Sequence, residues 1–455
     1  MLIRFSVENY RSFSERQELS FVKGRPRTLA EHIIPAIKSG QSDLLRVGLL
    51  YGANASGKSN FVKAIAAAQG LIVRGTKAGS KLPARPFRLD TKWESKPSAF
   101  EFEIRANGRD YSYGIAITSS VVVREWLYEV GQSKDTKLFE FIRDDGGKPQ
   151  LRDVSGIACR DAKARSFLDF LAAGTRSNAL FLTECHERNA LETLGDSVKN
   201  VLTVWAWFAE HLRVIFPTSE YEFWDAEFEG DTKFREEFSR LISAFDTGIE
   251  SIASEDIDLK LLDMPNELRE ELEKNKFSRA VVRGPHSERY WLSCADKGPL
   301  KARKLTTQHK RADGTGLVKF ELHDESDGTR RLIDLIPALM ELRNQDTVFV
   351  IDELNRSLHP HLTSAFLRAF VGGKSSSSQL LITTHETFIL RQDLVRRDEV
   401  WIVERDKHLS SHLASLQDFR LRADRDISKA YLSGRVGGIP MLVNPHYMEI
   451  ADATR

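Results

Sequence analysis

The sequence predicts an α/β protein with a parallel sheet, an added antiparallel β-subdomain and a mostly helical insertion. Three observations carry this. An apolar strand at 44–51 runs into a glycine-rich loop and then a helical stretch. From 330 onward, apolar strands alternate with helical segments, the pattern of a parallel sheet. Between 100 and 143, apolar and polar residues alternate singly, the pattern of antiparallel strands.

A chain of 455 residues suggests two or three domains and a core that needs no staples. Hydrophobic residues make up 41% and charged residues 29%, which excludes collagen-like, disulfide-framework and wholly disordered classes. No run of 18 apolar residues occurs, so no membrane span is expected. The N-terminus, MLIRFSVENYRSF, lacks the long apolar stretch of a signal peptide. Cys159, Cys185 and Cys294 lie far apart, which argues against a zinc site and for a reducing, cytoplasmic compartment. Lys plus Arg number 66 against 65 Asp plus Glu, so global charge does not point to nucleic acid.

In chain order, residues 2–8 form a half-buried strand, with Ile3, Phe5 and Val7 on one face. A second strand, LLRVGLLY (44–51), leads into GANASGKS and the helical FVKAIAAAQGLIV. Residues 100–117 read as a hairpin turning at Asn107-Gly108, and strands continue at 121–130 and 137–143. Residues 159–285 carry helical patterns such as SFLDFLAAG, VLTVWAWFAEHL and ELREELEKNK. Strand patterning resumes after that and is clear at 317–322. Leu332, Leu335, Leu339 and Leu342 then have helical spacing, with Pro337 expected to kink that helix or set its first turn. VFVID (348–352), LLITTH (380–385) and VWIVE (400–404) are buried parallel-type strands. The expected domains are therefore 1–158, 159–285 and 286–455.

Gly52-Ala53-Asn54-Ala55-Ser56-Gly57-Lys58-Ser59 fits G-x-x-x-x-G-K-[ST] in full. In such a loop, glycines let backbone N–H groups approach phosphate, the lysine meets the β- and γ-phosphates, and the serine hydroxyl ligates Mg²⁺. Asp352-Glu353 ends an apolar strand. There the aspartate can hold the Mg²⁺ shell and the glutamate can deprotonate a water attacking the γ-phosphate. His385 ends the next strand, where it can reach the γ-phosphate or that water. Ser326 and Gly328 precede a helix whose N–H groups and dipole form an anion site, although plain N-capping explains them equally well.

Four segments occur in one order: a first strand ending Asn9-Tyr10-Arg11-Ser12-Phe13, then GANASGKSN, then ESDGTRRL, then VFVIDELNRSLHP followed by LITTH. Together they resemble ABC-type ATPases of the RecF, SMC and OLD-like group, in particular the RloA-like AAA-type ATPases of bacterial anti-phage systems. The resemblance covers 1–117 and 317–440. It implies a P-loop ABC-type head whose N-terminal lobe carries the P-loop and whose C-terminal lobe carries the signature, Walker B and H-loop. It implies ATP and Mg²⁺ as cofactors, with Gly52 through Asn60 on the nucleotide and Arg11 close to it. Ser59 and Asp352 would hold the metal. Lys58, Glu353 and His385 would be catalytic. It also implies a head-to-tail homodimer or higher homo-oligomer, in which Ser326 and Gly328 of one copy contact the γ-phosphate held by the other. Ser357-Leu358-His359-Pro360 occupies the D-loop.

The role implied is a nucleotide-driven regulator of a separate effector, a nuclease or toxin. About 70 residues follow His385, fewer than an ordinary domain of roughly 100, so a nuclease, if used, is expected on a separate chain. A RecF-like DNA-binding repair ATPase and a non-hydrolysing ATP-held scaffold are the alternatives. The sequence departs from the pattern at Asp327 and Asn355 and offers no clear Q-loop glutamine, since Gln69 and Gln132 are both poorly placed. The stretch 297–311 holds six Lys/Arg and no acid; it reads as a solvated loop or hairpin first, and keeps nucleic acid open as a partner. Trp205, Trp207 and Phe208 read as helix core, or as a partner surface if exposed. His359 and His361 are poorly spaced for a metal.

Overall fold

The computed structural model describes residues 1–217, 232–259, 262, 279–283, 289–294, 300–373, 377–420 and 426–439. The helical pattern at 267–276 and the first part of the basic stretch, 297–299, lie outside the described residues.

Along the chain, β1 (Leu2–Glu8), β2 (Gln17–Ser20), β3 (Ile33–Ile34), β4 (Leu44–Leu45) and β5 (Val47–Tyr51) precede helix α1 (Lys58–Arg74). Five strands follow: β6 (Ser98–Ala106), β7 (Arg109–Ile117), β8 (Val122–Val130), β9 (Thr136–Arg143) and β10 (Pro149–Asp153). Helices α2 (Ala162–Gly174), α3 (Phe181–Glu187), α4 (Ala190–Leu194) and α5 (Lys199–Ala206) lead to β11 (Leu212–Ile215). Helix α6 (Thr232–Ala244) is followed by β12 (Ile249–Ile257), β13 (Arg279–Arg283), β14 (Arg289–Cys294), β15 (Leu300–Lys310) and β16 (Leu317–Glu321). The C-terminal part holds α7 (Asp327–Asn344), β17 (Val348–Ile351), α8 (Pro360–Val371), β18 (Gln379–Thr383), β19 (Val400–Arg405), β20 (Ser411–Ser415) and α9 (Ile427–Leu432).

The chain divides into two compact units. The first takes Met1–Pro217, Gln345–Leu354 and the chain from Val371 onward; the second takes Thr218–Asn344 and Asn355–Phe370. In the first unit, a sheet runs β11-β17-β18-β5-β19-β20, parallel except for its last strand. Its strands are nearly continuous apolar runs, as parallel strands covered on both faces must be. Val47–Tyr51, Val348–Ile351 and Gln379–Thr383 are buried throughout. A second sheet, β10-β9-β8-β7-β6-β1-β2, is antiparallel. The β6–β7 hairpin turns at Asn107 (φ 50°) and Gly108 (φ 70°), the two positive φ values that a type I′ turn requires.

β1 departs from simple alternation. A register shift lies between Leu2 and Arg4, so Leu2 joins Phe5 and Val7 in the main core, while Ile3 packs with Ile34 and Leu44 instead. Residue 46 likewise interrupts the strand expected over 44–51. Arg46 is buried and donates to the Val371 carbonyl at 2.9 Å.

The stretch expected as a mostly helical insertion divides at Pro217. Residues up to 217 belong to the first unit, and β11 joins the parallel sheet beside β17. Beyond 231 the described residues hold one helix and then the strands β12–β16, an antiparallel sheet in which β15 pairs with β12, β14 and β16. Helix α7 runs through Pro337 unbroken, with Leu332, Leu335, Leu339 and Leu342 buried. Trp207 and Phe208 are core as expected, and the half-buried Trp205 lies against His186. No helix among the described residues is long and apolar enough to cross a membrane.

Candidate functional site

The loop Gly52–Ser59 joins β5 to α1, the strand–loop–helix order its sequence requires. Gly52 (φ 159°) and Ala55 (φ 62°) carry positive φ. Gly57 (φ 119°) is the N-cap of α1. A Cβ there would come within 2.3 Å of Ser411 Oγ and 2.9 Å of Ser12 Oγ, so only glycine fits without displacing both serines. Asn54 and Ala55 are exposed, Ala53 half-buried, and the buried Ser56 hydroxyl has no hydrogen-bond partner among the described residues.

Lys58 lies largely buried and donates through Nζ to the carbonyls of Gly52 at 2.6 Å and Ala53 at 3.0 Å. Burial holds its pKa below the ordinary lysine value, against the opposing pull of Asp352 and Glu353. Ser59 Oγ donates to Asp352 Oδ1 at 3.1 Å, which ties the loop to the end of β17. The same Asp352 oxygen accepts from Thr383 Oγ1 at 2.6 Å, and Thr383 Oγ1 in turn accepts from the Glu353 N–H at 2.7 Å. Glu353 sits at φ 50°, an uncommon backbone value for a residue with a Cβ.

Two oxygens each about 2.1 Å from one octahedral ion, at right angles, lie about 3 Å apart. Ser59 Oγ and Asp352 Oδ1 already stand at that separation, and both are hard donors. These residues therefore fit Mg²⁺. Ser56 Oγ, Lys58 Nζ and the loop's positive-φ backbone fit a phosphate chain.

His385 lies just past β18 and is exposed; its neighbour Thr384 donates its N–H to the Leu50 carbonyl at 3.1 Å. Arg11 is exposed too, at φ 53°, with its N–H on the Arg85 carbonyl and its guanidinium 5.6 Å from the Tyr10 ring centroid. The turn that carries Arg11 supports the loop. Asn60 Nδ2 donates to Ser12 Oγ at 3.0 Å, and the Ser411 N–H donates to the Ser12 carbonyl at 2.8 Å. Gln69 and Gln132 spend their amides on main chain: Gln69 on Phe208 and Leu212, Gln132 on Ser39.

The first unit thus brings Lys58, Ser59, Asp352 and Glu353 together. Sequence reasoning missed Thr383 and Ser411. Thr383 was visible only as part of LITTH, and nothing in the sequence marks Ser411.

Ser326 and Gly328 belong to the second unit. Ser326 Oγ accepts from the Thr329 N–H at 3.1 Å, an N-cap interaction at the start of the 18-residue helix α7. On β15, Arg303 pairs with Asp256 and Lys304 with Glu321. Neighbouring strands supply the acids that the 301–311 sequence lacks, so β15 is a weaker electropositive stripe than its own residues imply. The His359 and His361 rings stack 5.2 Å apart, and no group of three metal-type ligands occurs among the described residues.

The family model described as "AAA domain, putative AbiEii toxin, Type IV TA system" matches residues 49–391, three-quarters of the chain. The chain belongs to this AAA family. The matched span of the AAA chain contains the loop at 52–59, Asp352, Glu353, Thr383 and His385. No curated protein matched the sequence. Among solved structures, the AAA chain is similar to the SMC head domain from Thermotoga maritima, at 12% identity and TM-score 0.38, over 91% of this chain and 98% of that one. It is also similar to an Smc head bound to the C-terminal winged-helix domain of ScpA, at 11% identity and TM-score 0.39, over 93% and 98%. A third is the Smc head with an extended coiled coil bound to the C-terminal domain of ScpA from Pyrococcus furiosus, at 12% identity and TM-score 0.35, over 96% and 98%.

Proposed function

We propose that this AAA chain hydrolyses ATP to ADP and phosphate with Mg²⁺, and that the cycle regulates a separate effector in anti-phage defence. The observation that carries the first half is the 3.1 Å approach of Ser59 Oγ to Asp352 Oδ1, two oxygens spaced as ligands of one hard ion. Bound there, Mg²⁺ would neutralise charge on the β- and γ-phosphate oxygens. Lys58 and the loop amides bind the phosphates. Glu353, with its N–H fixed by Thr383, takes the proton from the attacking water. His385, at the end of the neighbouring strand, supports the γ-phosphate.

ATP then closes a head-to-tail homodimer. Ser326 and Gly328 of one copy meet the triphosphate of the other, and hydrolysis reopens the pair. The exposed Ser326 at the N-terminus of an 18-residue helix supports this, because such an end favours an anion. The family's description, "putative AbiEii toxin, Type IV TA system", supports a defence setting.

The test is phosphate release from Mg²⁺-ATP by the purified chain. Turnover that requires Mg²⁺ and disappears in Lys58→Ala is the expected result. ATP binding without any release would overturn the hydrolytic reading in favour of a nucleotide-held scaffold.

A further inference from the structure

Glu325, which directly precedes Ser326, points its carboxylate inward. Its side chain is 8% exposed, whereas Ser326 and Asp327 next to it are exposed residues. One oxygen, Oε1, accepts from Thr307 Oγ1 at 2.5 Å and meets His309 Nε2 at 2.7 Å. Both partners stand on β15, two residues apart and therefore on the same face of the strand. His309 is itself held edge-on by the Phe320 ring at 4.8 Å, and Thr307 is fully buried. A nearly buried carboxylate with two convergent donors is a strong, directional link.

A second contact fixes the other side of the same turn. A Cβ on Gly328 would lie 2.6 Å from the Ser357 carbonyl oxygen, so the start of α7 rests directly on the segment Asn355–Leu358. Ser357 holds φ 62° there. Ser326 is thus bracketed: Glu325 before it is tied to β15, and Gly328 after it is packed on Ser357.

We propose that Glu325, Thr307 and His309 are positioning residues. They fix the direction in which Ser326 is presented to the nucleotide of a second copy, and they make β15 the element through which its sheet sets dimer closure. This inference rests on the head-to-tail reading above. Glu325 touches no nucleotide in it. Its carboxylate faces its own sheet, and its effect passes through the backbone to Ser326. Losing the link leaves the P-loop site intact and misdirects the surface that a partner copy must recognise.

The experiment uses the full chain carrying Glu353→Gln, so that ATP persists. Assembly is followed by sedimentation velocity with Mg²⁺-ATP, and nucleotide binding by a fluorescent ATP analogue. Glu325→Ala and His309→Ala should weaken ATP-driven dimerisation about tenfold or more, the effect of losing charged hydrogen bonds, while analogue affinity stays within about twofold. His309→Gln, which keeps a donor at similar reach, should restore assembly. Thr307→Val, nearly isosteric, gives the same reading should Glu325→Ala fail to fold. Variants that dimerise as tightly as the parent overturn the inference alone. A Glu353→Gln parent that stays monomeric with ATP overturns the dimer reading and this inference with it.

Discussion

Ser411, on the strand β20, donates its hydroxyl to the carbonyl of Ser56 at 2.6 Å, inside the phosphate loop and 355 residues away in sequence. Its own N–H is bonded to the Ser12 carbonyl, and Ser12 Oγ accepts from Asn60 on the first turn of α1. The loop is therefore shaped by two distant segments as well as by its own glycines.

Ser411→Ala removes a fully buried donor and leaves the Ser56 carbonyl without it. Leaving a buried acceptor unpaired costs about 1–3 kcal/mol, more than the net worth of the bond itself. The expected outcome is a loss of that size in urea unfolding, together with weaker ATP binding, because the loop backbone is freed where it should hold phosphate. Unfolding that matches the parent would show that the contact contributes nothing.

Thr383 stands between the two acidic residues, donating to Asp352 and accepting from the Glu353 N–H. Thr383→Val keeps the shape and deletes both bonds. Turnover should fall about 10–100-fold, while ATP affinity stays near the parent's, since the phosphate contacts proposed are those of Lys58 and the loop. Thr383→Ser, which keeps the hydroxyl, should recover most of the rate. Steady-state kinetics that separate kcat from KM decide the matter; a change confined to KM would place Thr383 in binding instead.

What the sequence shows and what it hides follow from the range of each interaction. The P-loop, the Asn107-Gly108 turn and the leucine face of α7 are local, because spacing along a single segment sets each of them. β11 is a four-residue strand with no periodicity of its own; it becomes a strand by lying parallel to Val348–Ile351. The link from Ser411 to Ser56, and the acids that face Arg303 and Lys304, exist only once separate strands are paired. Ile3 left its expected face because of a register shift at the edge of a pairing that sequence alternation cannot see. Asp352 was legible because it ends an apolar strand; Thr383, on the neighbouring strand, acts through side-chain direction alone.

Burial lowers the pKa of Lys58, and the sign of its effect on stability follows. A lysine depressed in the folded state contributes stability above its ordinary value of 10.5 and loses it as pH falls through the folded value. At neutral pH the charged side chain therefore weighs against the nucleotide-free fold. Lys58→Met should melt higher at pH 7. The gap should shrink toward pH 10, and Mg²⁺-ATP should raise the melting temperature of the parent but not of the variant. Scanning fluorimetry at the two pH values checks it. A variant that melts lower at neutral pH would show that the bonds to Gly52 and Ala53 outweigh the desolvation.

Glu353→Gln isolates the chemical step. The substitution keeps the length and the left-handed backbone position, and it leaves the Glu353 N–H on Thr383 untouched, so geometry is conserved while basicity is lost. Losing a general base should cut phosphate release about 10²–10⁴-fold, with ATP binding retained. In the proposed cycle hydrolysis reopens the pair, so the same variant should accumulate as an ATP-dependent dimer. Asp352→Asn makes the contrast. It weakens the pair of oxygens spaced for Mg²⁺, so its defect should be partly relieved by raising Mg²⁺, whereas the Glu353→Gln defect should not respond. Rapid-quench measurement of one turnover against Mg²⁺ concentration separates the two roles. If both variants respond alike to Mg²⁺, Glu353 acts through the metal and not as the base.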